Sequence, residues 1–122
     1  MSNSWRVMLS SRLWDQSKYE REIVTHPELK RLAQSKGRRH MVKCPKKGDL
    51  VSFVFKGKIV MRGTVDSDGF ENGTWHREHS CNIGESRPHT DPTEFIWINI
   101  TEVGLSEDIR FTGRSTWAKM PV

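Results

Sequence analysis

Pro45-Lys46-Lys47-Gly48-Asp49-Leu50-Val51-Ser52-Phe53-Val54-Phe55-Lys56-Gly57-Lys58-Ile59-Val60-Met61-Arg62-Gly63-Thr64-Val65 contains two β-prone runs joined by a tight turn. Pro45, Gly48 and Asp49 supply the residues that set turn geometry, and they launch the apolar run Leu50 to Phe55. Lys56-Gly57-Lys58 places a glycine where a two-residue hairpin needs left-handed backbone, so Ile59 to Val65 returns as the partner strand. Gly63 inside that strand predicts a bulge or a sharp bend, the device by which a sheet is curled into a barrel.

Outward from this hairpin the chain alternates between strand and helix signals. On the N-terminal side Trp5 to Leu9 is β-prone and partly alternating, which predicts a first strand. Asp15 is placed to cap a helix over Gln16 to Val24, with Tyr19 and Ile23 one turn apart. Thr25-His26-Pro27-Glu28 has the form of a capping box with proline in the first turn. It predicts a second helix, with Leu29, Leu32 and Ala33 on one face and Gly37 as its stop. Met41 to Cys44 reads as a short extended segment. On the C-terminal side Asp66 to Thr93 is rich in glycine and histidine and has Ile83 as its one aliphatic residue. A span of that length without apolar periodicity is unusual inside a compact domain and is often functional. Phe95 to Val103 is a strong strand, Ile109 to Phe111 a weaker one, and Thr116 to Met120 closes the chain.

The expected fold class is α+β. It is a small, partly open β-barrel with a helical insertion after the first strand, and residues 1–122 form a single domain. The size supports one core only. With 34% hydrophobic and 29% charged residues the chain is neither membrane-like nor disordered in composition. No run approaches the roughly 20 apolar residues of a membrane span. The opening Met1-Ser2-Asn3-Ser4-Trp5-Arg6 lacks the apolar centre of a signal peptide, so an intracellular, cytoplasmic or nuclear, location is expected. Cys44 and Cys81 are then expected as free thiols.

Charge is distributed unevenly. Lys18 to Lys47 holds ten Lys or Arg against three acidic residues, whereas Thr64 to Ile109 holds two against ten. One region can therefore attract phosphates while another avoids them. Arg38, Arg39, His40, Lys43, Lys46 and Lys47 are the candidates for phosphate contact.

The order of elements resembles the PUA-like superfamily, and within it the EVE and YTH-like domains. The carrying segments are the opening strand Trp5 to Ser11 with Ser11-Arg12-Leu13-Trp14, the Pro45 to Phe53 Gly-Asp turn and strand, the partner strand with Gly63, and Phe111 to Trp117. The resemblance implies a binding module, in which aromatic side chains accept a base, often a methylated one. Ser11 and Trp14 match the segment after the first strand and are carried over as pocket residues. Trp75, in a polar loop without apolar neighbours, joins them with His79 and Asn82 as the expected ligand pocket.

Nucleic-acid binding, DNA or RNA, is thus the leading expectation, without catalysis and without a cofactor. One alternative is a protein- or small-molecule-binding domain that uses the 66–93 loop. The other is a small metal-dependent hydrolase. For the latter, His76-x-x-His79-x-Cys81 and His89 are donor types suited to zinc, but their spacing matches no common structural site, so no metal is expected. Cys81 with His79 or His89 lacks any nucleophile-elbow context. Trp5, Trp97 and Trp117 are expected in the core.

Overall fold

The computed structural model describes residues 3–9, 14–36, 44–73, 93–109 and 116–120. In chain order its elements are β1 (Ser4–Met8), α1 (Gln16–Thr25), one turn of 3-10 helix (Pro27–Lys30), β2 (Arg31–Ser35), β3 (Leu50–Phe55), β4 (Lys58–Val65), β5 (Glu71–Gly73), β6 (Thr93–Glu102), β7 (Glu107–Asp108) and β8 (Trp117–Lys119).

The expected hairpin forms. Lys56 and Gly57 adopt φ of 51° and 80°, the left-handed pair that lets β3 and β4 close with a two-residue turn. The strands join one mixed sheet in the order β2-β6-β4-β3-β1-β8. Here β1 runs parallel to β3, and the other pairs on this path are antiparallel. Beyond this path, β5 extends along the same edge of β6 that β4 occupies, and β7 pairs with the start of β4.

The sheet curls because two register shifts interrupt it, one at Phe53/Val54 and one at Arg62/Gly63. Each bulge adds local twist. Gly63 permits the second one: a Cβ there would collide with the carbonyl oxygen of Asn99 and lie 2.9 Å from Ile98 Cγ2. The curl brings the two ends of the strand order together. Trp117 of β8 donates its indole N–H to the carbonyl of Ser35 in β2 at 2.9 Å. The result is a half-barrel, a small partly open barrel of the kind expected.

Its concave side holds the core. Trp5 and Val7 of β1, Val51 and Phe53 of β3, Met61 and Val65 of β4, and Ile96, Ile98 and Ile100 of β6 are buried together. Helix α1 adds Tyr19 and Ile23 to the same cluster, and the Tyr19 hydroxyl donates to the Leu29 carbonyl at 2.9 Å. Asp15 caps the helix as expected, accepting from the Lys18 amide. Edge contacts between rings, such as Trp5 against Trp117 with centroids 6.2 Å apart, fill the space between the strands.

The second expected helix does not form. Thr25 is the last residue of α1, and its hydroxyl donates back to the Glu22 carbonyl instead of capping a new helix. Pro27 to Lys30 makes a single 3-10 turn, after which Arg31 to Ser35 pairs antiparallel with β6 from Asn99 to Phe95. The capping signals are local, whereas the long apolar strand β6 offers a whole ladder of hydrogen bonds and buries Leu32 and Ala33 completely. Tertiary pairing overrides helix propensity here. The first strand ends at Met8, one residue short of the expected Leu9, and Ile109 lies just beyond the two-residue β7. Residues 41–43, 110 and 111 lie outside the described residues.

Gly63→Ala tests the close approach directly. Because the added methyl meets β6 backbone and cannot be relieved by a rotamer change, a loss of about 1–3 kcal/mol is expected, read as a lowered urea midpoint.

Candidate functional site

The turn between residues 45 and 49 is built around one carboxylate. Asp49 is only 4% exposed. It accepts hydrogen bonds from the Lys46 amide at 2.9 Å, the Trp5 indole at 2.9 Å and the Asn3 amide at 3.1 Å. The Asp49 amide in turn donates to the Lys46 carbonyl, and Gly48 supplies the left-handed residue with φ 94°. Burial alone would raise the Asp49 carboxyl. The bonds from Lys46, Trp5 and Asn3, with the charge of Lys46, outweigh it and hold the group below its ordinary value. Lys46 and Lys47 stand exposed on this fixed turn.

Beside the turn lies a polar cluster on the convex face of the sheet. The Lys47 amide donates to Asp68 Oδ1 at 3.2 Å, and the Gly48 amide to the Val65 carbonyl at 2.9 Å. Arg31 of β2 bonds Asp66 through Nε at 2.9 Å, and its guanidinium lies 4.1 Å from the centre of the Trp97 ring. The bond from Arg31 is the main reason the Asp66 carboxyl sits below its ordinary range. The charges of Arg31 and Lys47 and a bond from Asn99 act the same way, against an opposing push from burial. Phe95 packs edge-on to Trp97 with centroids 5.6 Å apart. Asp66 is fixed by its own amide, which donates to the Trp97 carbonyl, and Ser67 Oγ accepts from the Trp97 amide.

Of the expected site residues, Lys46 and Lys47 are brought to this place. Trp14, expected at a ligand pocket, is instead a core ring. It is 4% exposed, its centroid is 5.3 Å from that of Tyr19, and its indole N–H donates to Gln16 Oε1 at 2.7 Å. Ser11, Arg38, Arg39, His40, Lys43, Trp75, His79 and Asn82 lie outside the described residues. The basic run 38–43 is bracketed by placed residues. Before it, the Lys36 amide donates to the Glu94 carbonyl and its ammonium pairs with Glu94 at 3.0 Å. After it come the exposed thiol of Cys44 and the buried Pro45.

Trp97 corrects a further expectation. Expected in the core, it is half-buried on the convex face. The alternation in β6 carried the signal: Ile96, Ile98 and Ile100 point to the core, so Phe95, Trp97 and Asn99 must point away. Arg31 falls within the expected second helix, a reading in which its place opposite Asn99 is not visible. Among the described residues, no three His, Cys, Asp or Glu side chains gather as a metal site, and no helix is long and apolar enough to cross a membrane. His76, His79, Cys81 and His89 lie outside those residues. No family model matches the chain, and neither a curated protein nor a solved structure matches it.

Asp49→Asn is expected to lower stability by about 2 kcal/mol or more, because an amide NH₂ then faces donors that previously met a carboxylate. The folded carboxyl titrates below its unfolded value of about 3.9. Its contribution is therefore complete above that value and is lost as the pH falls through the folded one. Urea melts between pH 7 and pH 3 should show a steeper acid-side decline for the wild type than for Asp49→Asn.

Proposed function

We propose that this chain is a non-catalytic nucleic-acid-binding module, a PUA-like half-barrel of the EVE or YTH-like kind, with the basic segment 38–47 as its phosphate-contacting rim. The observation that supports the reading best is the carboxylate-locked turn. It holds Lys46 and Lys47 out to solvent beside an arginine stacked on a half-buried tryptophan. A cationic edge next to a planar aromatic surface meets both parts of a nucleic acid, its phosphates and the faces of its bases. The local excess of positive charge from Lys18 to Lys47 supports the same partner. The finer reading, preference for a methylated or otherwise modified base, assigns Ser11, Trp75, His79 and Asn82 to the base pocket.

Fluorescence anisotropy with single- and double-stranded DNA and RNA across a salt series tests the reading. Binding should weaken steeply with salt, and the pairs Arg38→Ala/Arg39→Ala and Lys46→Ala/Lys47→Ala should each reduce the log–log salt slope by about 1 or more. An unchanged slope in both double variants removes the rim. Absence of binding to every nucleic acid at low salt removes the function.

A further inference from the structure

Arg31 is held in an unusual way for a surface arginine. Its guanidinium is fixed on one side by the Trp97 ring, 4.1 Å from the ring centre, and at one edge by Asp66, which accepts from Nε at 2.9 Å. Asp66 is itself immobilised by its backbone bond to Trp97 and by Asn99. The side chain of Arg31 is nevertheless 46% exposed. Its two terminal nitrogens donate no hydrogen bond among the described residues. An ordinary ion pair would engage those nitrogens as a fork. Here a single Nε bond orients the side chain, and among the described residues no second partner takes up its terminal N–H groups.

We infer that Arg31, held over the Trp97 ring and oriented by Asp66, is a preformed stacking platform for one unpaired nucleobase of a single strand. This rests on the proposed nucleic-acid binding and names the surface that would read the base. Guanidinium planes stack on bases as aromatic rings do, and a plane already fixed loses little freedom on binding. The free terminal N–H groups at its rim suit a phosphate oxygen of the same strand. The lysine turn adjoins this side chain, since Lys47 is close enough to act on Asp66, so one strand can meet both. Paired bases within a duplex present no free face, so the platform selects single strands.

The test compares Arg31→Lys, Trp97→Ala, Trp97→Phe and Lys46→Ala/Lys47→Ala, with fluorescein-labelled adenosine and deoxyadenosine dodecamers and matched duplexes as probes. Lysine keeps the charge but loses the plane, so Arg31→Lys should raise the Kd for a dodecamer about tenfold while leaving the salt slope unchanged. Trp97→Ala should do the same, Trp97→Phe should retain most of the affinity, and duplex binding should change little in any of the three. Urea midpoints identify any variant that is merely unfolded. Arg31 is exposed, so Arg31→Lys carries the test if Trp97→Ala does not fold. Wild-type affinity in Arg31→Lys, with Lys46→Ala/Lys47→Ala still weakened, overturns the platform and leaves the broader reading intact. A wild-type protein that binds neither strand form at low salt overturns both.

Discussion

The rest of the structure depends on a buried carboxylate that accepts three hydrogen bonds. Asp49 joins Asn3 and Trp5, at the start of β1, to the Lys46 amide at the entry to β3. A parallel pair of strands has no turn of its own to set the register, and β1 and β3 are separated by the whole helical excursion. The side chain does what a hairpin turn does elsewhere. It fixes which residues face each other, Ser4 against Leu50 and Trp5 against Val51. A buried carboxylate is stable only when its acceptor positions are filled. Two backbone amides and one indole bond to both oxygens here and hold the carboxyl below its ordinary value.

From that register the curl follows. Two bulges and one glycine let β4 cross β6 closely enough for the sheet to bend back on itself. The indole of Trp117 then spans the gap between the terminal strands. Among the described residues the ends of the sheet meet through this side chain and not through a backbone ladder, which leaves the barrel partly open. Bending the sheet also separates its two faces chemically. The concave side is filled with aliphatic and aromatic groups, and the convex side around β2, β6 and the end of β4 carries Arg31, Trp97, Asn99 and Asp66. The half-buried indole on that convex face is stabilised by a cation above it, an arrangement worth about 0.5–1 kcal/mol at exposed sites.

The functional reading links these two results. The turn that Asp49 locks is the same turn that displays Lys46 and Lys47, so a residue of purely architectural character also sets the backbone position of the proposed basic rim. Rigidity there matters because a phosphate contact made by a pre-positioned lysine orders less chain on binding than one made from a loose loop. The Arg31 plane shares this property. Its orientation is decided by Asp66 and Trp97 before any ligand arrives.

Local physics made part of this legible in the sequence. The β3–β4 hairpin follows from Lys56-Gly57 and the flanking apolar runs, α1 from Asp15 and the Tyr19–Ile23 spacing, and β6 from its β-branched alternation. Gly63 announced a bend because a glycine within a strand is seldom there for packing. The charge asymmetry pointed to Lys46 and Lys47. What required the tertiary structure was every choice between competing local signals. The capping box at Thr25 is a sound helix start in isolation, yet residues 31–35 become a strand because β6 supplies a ladder and a buried place for Leu32 and Ala33. Trp97 is half-buried on the convex face although its apolar neighbours in sequence implied the core, and Trp14, carried over as a pocket residue by resemblance, is core. Burial depends on which face of a curved sheet a side chain occupies, and that face is set by register between segments dozens of residues apart, a long-range quantity that composition and local periodicity do not contain.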